Sequence, residues 1–212
     1  MFCNANYDGI QMGLPWSGRS RIVGGSEASA YFYPFAARLY SSVDTFNFGF
    51  CTASLISPTA ALSAAHCCTG LTSVYVGVGR HTSVSINFGQ CAETIPSSNI
   101  SIHPDYDGNV LNDICVIELS STPFCMGGFF VNSLELDGLP VWRDDTVSEN
   151  ATVIGWGSTT VMDGQQSRRL READQFLYGR STCLQYLSSA HLANPQQLCA
   201  GRIESDTAIN IC

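Results

Sequence analysis

The chain has 212 residues, of which 45% are hydrophobic and 13% charged. That is too apolar for a disordered chain and long enough to bury a sizeable core. Its net charge is −8, and all ten basic residues are arginines scattered without a basic run, which argues against nucleic acid as a partner. No stretch approaches the roughly 18 consecutive apolar residues of a membrane-spanning helix. Ten cysteines lie along the whole length with no Cys-x-x-Cys pair. This pattern points to disulfides and an oxidising compartment, not to a zinc ribbon or a thioredoxin-like redox motif.

The first 20 residues read as a separate, irregular segment. Met1–Trp16 has neither a basic start nor an apolar run, so it is not a signal peptide. Arg21-Ile22-Val23-Gly24-Gly25 then sets an arginine before two β-branched residues and a glycine pair. It reads either as a cleavage site exposing a new terminus or as the start of an ordinary strand. Short strands are predicted at Tyr31–Tyr40, Phe48–Ser54, Ala60–Ala64, Val74–Gly79, Asn99–Ile102, Ile114–Leu119, Ala151–Gly155 and Leu170–Phe176. Gly, Pro, Ser and Asn separate them, as in an all-β barrel or sandwich. One short helix is predicted at Thr182–Leu187, with Ser181 as its N-cap. A Gly- and Pro-rich stretch at Thr122–Pro140 divides two strand clusters. Asn99-Ile-Ser101 and Asn150-Ala-Thr152 are N-glycosylation sequons.

Within this frame several residues carry chemistry. Ser63-Ala64-Ala65-His66-Cys67 sets a histidine at the end of a small-residue strand, and a bond between Cys51 and Cys67 would fix the backbone beside it. A general base needs such a rigid mount. Asp113 heads the apolar run Ile114–Leu119, where a carboxylate needs a partner. A histidine N–H is a suitable one, since it would hold the ring in one tautomer. Each signal has a bland alternative: a histidine at a loop mouth, a turn aspartate. Gly155-Trp156-Gly157 alone is only a turn, and Cys199-Ala200-Gly201 comes 16 residues after Cys183.

In this order the motifs resemble those of the chymotrypsin/trypsin family of serine endopeptidases, over Ile22 to Cys212. The resemblance implies a chymotrypsin-like pair of antiparallel β-barrels. Residues 1–21 would be a leader, the first barrel would run over about 22–122, and an incomplete second barrel over about 123–212. His66, in Ala-Ala-His-Cys, takes the place of the general base. Asp113, in Asp-Ile-x-x-Ile, takes that of the residue that orients it. The order His then Asp is that of this family and not of subtilisins or α/β-hydrolases. The pair should meet within about 2.6–3.2 Å. Arg21–Ile22 would be the zymogen cleavage site, with Ile22 as the mature terminus.

The family pattern places disulfides at Cys51–Cys67 and Cys183–Cys199. For the remaining cysteines the expected pairs are Cys68–Cys91 and Cys3–Cys125, with Cys115 a buried thiol and Cys212 lacking its partner. The family's nucleophile stands in Gly-Asp-Ser-Gly-Gly-Pro shortly after a cysteine like Cys212, and that motif is absent from these residues. The chain is therefore expected to be a fragment, inactive as it stands. Asn210 holds the position of the trypsin P1-pocket aspartate, and Asp206 is the alternative if the Cys199–Cys212 segment carries an insertion. Arg80 follows Gly79 where the family's calcium loop opens with glutamate, so calcium is not expected there. No cofactor or metal is expected.

The implied protein is a secreted, extracellular monomer acting on protein or peptide substrates and open to protease inhibitors, with no nucleic acid and no membrane span. A non-catalytic homologue that uses the barrel as a binding surface is the alternative. A metal site at His66-Cys67-Cys68 is disfavoured, because adjacent cysteines lack the usual ligand spacing.

Overall fold

The computed structural model describes residues 25–42, 49–83, 91–109, 111–136, 149–158, 166–179, 181–182 and 199–201. Its elements in chain order are β1 (Ser26–Glu27), β2 (Ala36–Tyr40), β3 (Cys51–Ser57), β4 (Ala60–Ser63), α1 (Ala65–Cys68), β5 (Tyr75–Val78), β6 (Glu93–Ile102), β7 (Cys115–Leu119), β8 (Glu149–Gly155), β9 (Arg171–Tyr178) and β10 (Cys199–Gly201). Six of them close into an antiparallel barrel in the order β2-β3-β4-β7-β6-β5. The other four strands form a second sheet in which β1, β8 and β10 all pair antiparallel with β9.

The period-2 rule for strands explains the barrel. Along β3, Cys51, Ala53 and Leu55 turn inward and are buried, while the residues between them are half-buried. Leu39, Val76, Val78, Ile95 and Ile117 complete the filling. Strand β2 is buried along both faces. Ala37 and Leu39 point into the barrel, whereas Ala36 packs with Trp156 and Leu170, which flank β8 and β9 of the second sheet. Trp156 is the anchor between the two parts: it is fully buried and its indole N–H donates to the His81 carbonyl at 3.0 Å. Arg38 stacks over its ring at 5.7 Å and donates to the Gly49 carbonyl and to Gln166. Burial pushes that guanidinium down to about 10.

The observed elements depart from the sequence expectations at several points. The strand predicted from Tyr31 begins only at Ala36, because Tyr31 adopts φ +63° and the Tyr33 carbonyl accepts the Ala36 N–H in a turn. Strand β6 begins at Glu93 and runs through Pro96, well before the predicted Asn99. His66 lies on a single helical turn, not on the end of the strand, since β4 stops at Ser63. Of the helix expected at Thr182–Leu187, residues 183–187 lie outside the described residues.

Among the described residues the disulfides are Cys51–Cys67, as the family pattern placed it, Cys68–Cys115 and Cys91–Cys125. The last two replace the expected Cys68–Cys91 and Cys3–Cys125 pairs and the unpaired Cys115. The physical reason is register. Ser63 pairs with Cys115 across β4 and β7, so the turn of α1 returns Cys68 over the start of β7. Cys125 meets Cys91 because the segment after β7 folds against the start of β6, where the Phe124 N–H donates to Glu93 at 3.0 Å. Gly79 makes room for this corner. It sits at φ +64°, and a Cβ there would lie 2.2 Å from the Cys91 carbonyl oxygen.

Candidate active site

The pairing of β4 with β7 builds the site. Ser63 and Cys115 are register partners at one end of the antiparallel pair. The chain leaves β4 there toward His66 and reaches β7 there from Asp113, so residues far apart in sequence emerge at the same rim. The two carboxylate oxygens of Asp113 take separate partners. Oδ2 accepts from His66 Nδ1 at 2.7 Å, and Oδ1 accepts from the His66 backbone N–H at 2.8 Å. Both side chains are partly open to solvent, at 31% for His66 and 20% for Asp113.

Each half is held from below. The helical turn that carries His66 closes with the Thr69 N–H and hydroxyl both donating to the Ala65 carbonyl at 2.9 Å. Its two cysteines tie it to β3 through Cys51–Cys67 and to β7 through Cys68–Cys115. The second of these bridges runs alongside the His66–Asp113 hydrogen bond, since each cysteine follows its site residue by two positions. Asp113 is presented by a loop ordered around Asp107, whose carboxylate accepts the Asn109 and Leu111 N–H groups at 2.8 and 2.9 Å. Asn112 takes φ 56°, which asparagine tolerates, and its amide donates to the Asp105 carbonyl at 2.8 Å. Tyr106 stands close enough for its phenol to be raised above its usual range, by burial first and then by the charges of Asp113 and Asp107.

The chemistry follows from the donor and acceptor inventory. An ionised carboxylate only accepts, so Nδ1 carries the proton and Nε2 presents its lone pair. The result is an imidazole of fixed tautomer and fixed orientation, suited to take a proton at Nε2. Cys51, His66 and Cys67 lie close enough to share one ion, but the two sulfurs are bonded to each other and offer no thiolate.

His66 and Asp113, both expected from the sequence, are brought together by the structure, whereas Cys115 was expected as an unpaired thiol and Tyr106 was not singled out. The equal offset of Cys68 from His66 and of Cys115 from Asp113 was the signal for the bridge. Arg21, Ile22, Cys183, Asp206 and Asn210 lie outside the described residues. Of Cys199, only the backbone pairing with Tyr178 is described. Arg80 is buried, donates to Thr94 and stacks over Tyr40 at 5.5 Å.

A barrel joined to a second sheet, with a His–Asp pair at the rim, defines a chymotrypsin-like fold. Neuropsin, a serine protease expressed in the limbic system of mouse brain, shares it. The two superpose with a TM-score of 0.71 at 21% sequence identity, over 90% of this chain and 82% of that one. The family model for trypsin matches residues 22–211, and the chain belongs to the trypsin family. Among similar proteins, brachyurin of Leptuca pugilator is 34% identical over 164 residues, 76% of this chain and 67% of that protein. Ovochymase of Halocynthia roretzi is 32% identical over 192 residues, 88% of this chain. Trypsin-1 of Astacus astacus is 31% identical over 144 residues, 66% of this chain. The chain spans only 11% of that ovochymase and 58% of that trypsin-1.

Proposed function

We propose that the protein is a secreted serine endopeptidase in which His66 is the general base and Asp113 its orienting carboxylate. The observation that carries this reading is the double engagement of Asp113 by the His66 ring and backbone, at 2.7 and 2.8 Å. A binding surface needs neither bond. In the reaction, Nε2 of His66 takes the proton of a serine hydroxyl as the oxygen attacks a peptide carbonyl. Asp113 stabilises the imidazolium that forms, and His66 then protonates the leaving amine. Water resolves the acyl-enzyme by the same route.

The 212 residues contain no Gly-Asp-Ser-Gly-Gly motif. This reading therefore takes the nucleophile and the oxyanion donors from sequence that continues past Cys212. In the same proposal, cleavage at Arg21–Ile22 activates a zymogen. The segment just after this bond is anchored to the second sheet, where Ser26 and Glu27 pair with Glu172 and Arg171, and the Arg171 guanidinium donates to the Gly25 carbonyl. Asn210 or Asp206 would line the P1 pocket, the substrates are proteins or peptides, and protease inhibitors are partners of the same cleft. The domain division at about residue 122 and the bridge Cys183–Cys199 belong to this proposal. Three observed disulfides fit export to an oxidising compartment.

The test is to express the reading frame extended past Cys212, cleave it after Arg21, and follow hydrolysis of peptide substrates with the His66→Ala variant beside it. Hydrolysis that vanishes in the variant supports the proposal. An extended chain that folds and hydrolyses nothing turns the reading to a non-catalytic homologue.

A further inference from the structure

The sequon Asn150-Ala-Thr152 occupies the exposed face of β8, and the sheet register gives it a companion. Asn150 and Thr152 lie two residues apart on a strand, so their side chains share one face, and both are exposed. Across the ladder Asn150 is paired with Phe176, and Thr152 with Asp174. Directly opposed residues hold their Cβ atoms about 4.5–5.5 Å apart. Phe176 is one of the large apolar side chains left uncovered, at 39% exposure, although it sits mid-strand in β9. On its other flank the register partner is Gly201, and the Tyr178 ring lies tilted to it with centroids 6.4 Å apart. An aromatic ring beside a glycosylation acceptor is a platform for a sugar. The C–H groups on the flat side of a pyranose meet the negative face of the ring.

We propose that Asn150 carries an N-linked glycan whose first N-acetylglucosamine packs on Phe176. The donor is a lipid-linked oligosaccharide pyrophosphate. Asn150 Nδ2 attacks the anomeric carbon, the new bond is C1–N, and the C1–O bond to the pyrophosphate breaks with its electron pair. One amide proton passes to a base of the transferase. The Thr152 hydroxyl is the second element of the sequon, and in the folded chain it donates to Asp174 at 3.4 Å. The other sequon lacks this companion. Asn99 is the register partner of Glu118 on the adjacent strand β7, and its amide donates to that carboxylate at 3.1 Å and to Ser101 at 3.3 Å. The proposal rests on passage through the secretory route, which belongs to the reading above.

A heterologous signal peptide separates the two. The full chain is directed into the secretory lumen of an insect or mammalian cell line, and glycan occupancy is mapped by mass spectrometry in total lysate. The expected result is an endoglycosidase-sensitive mass increment on the Asn150 peptide, lost in Asn150→Gln and in Thr152→Ala. Lumenal chains with Cys51–Cys67 formed but Asn150 bare overturn the proposal and leave secretion standing. Failure of the native gene product to leave its own cells overturns secretion and leaves the acceptor chemistry standing.

The packing half is read on protein trimmed to a single sugar. The N-acetyl methyl proton signal should be shifted upfield by the ring, and Phe176→Leu should return it to the position of a solvated sugar while the mass stays the same. A methyl signal that is identical in both proteins overturns the contact.

Discussion

The bridge Cys68–Cys115 gives the sharpest stability prediction, because it acts on the site as well as on the fold. Replacing both cysteines with alanine removes a crosslink that closes a loop of sequence separation 47. In the chain-entropy treatment a loop of this length is worth about 4 kcal/mol at 25 °C. That is a large share of the roughly 5–15 kcal/mol that holds a domain together. Cys91–Cys125, with a separation of 34, is worth nearly as much, again about 4 kcal/mol. The two double variants should therefore lose similar stability in urea titrations followed by the fluorescence of buried Trp156. They should differ at the site. Only the first bridge ties the turn that carries His66 to the strand that follows Asp113. Cys68→Ala/Cys115→Ala should thus broaden or lose the low-field proton NMR signal of His66 Nδ1–H, and Cys91→Ala/Cys125→Ala should keep it. If both variants keep the signal, or if the first loses no stability, the bridge does not hold the pair as argued.

Gly79→Ala combines a left-handed backbone at φ +64° with a Cβ only 2.2 Å from the Cys91 carbonyl oxygen. It should cost about 2–4 kcal/mol, read as a fall in the urea midpoint, and an unchanged midpoint would refute the close approach. In the activated, extended protein, Asp113→Asn should lower kcat by about 10⁴-fold with KM little changed, since an amide can donate to Nδ1 and so select the wrong tautomer. Steady-state kinetics checks this, and a loss confined to KM would deny Asp113 its orienting role. N-terminal sequencing of the active form should begin at Ile22, and full activity from a different terminus would remove the activation step.

Much of the barrel was legible because turn residues mark off its short strands. The turn residues between the short runs marked the strands, and Ala53 and Leu55 on β3 and Ile117 on β7 then turn inward by the two-residue period, although Leu55 lies one residue beyond the predicted strand. Legibility failed where another force overrode the local pattern. Tyr31 belongs by composition to the strand that follows, but a turn at φ +63° takes it out. Pro96 reads as a strand breaker, yet it sits in β6 opposite Tyr75. Strands β1 and β10 span two and three residues, too short for any periodicity to show, and exist through their pairing with β9. At the site, His66 and Asp113 were legible as motif residues, but their convergence depends on the β4–β7 register. The same register explains Cys115. Within an apolar strand it looks like a core thiol, and only the return of α1 over β7 turns it into a disulfide partner.

The central claim is that His66 serves as the base for a serine nucleophile, and covalent labelling tests it most directly. The protein expressed from the extended frame and cleaved after Arg21 is treated with a serine-directed phosphonate probe, beside its His66→Ala variant. The expected result is a single phosphonylated serine within a few residues of Cys212 and no labelling in the variant. Labelling that persists in His66→Ala, or a folded and cleaved protein that takes up no probe, would contradict it.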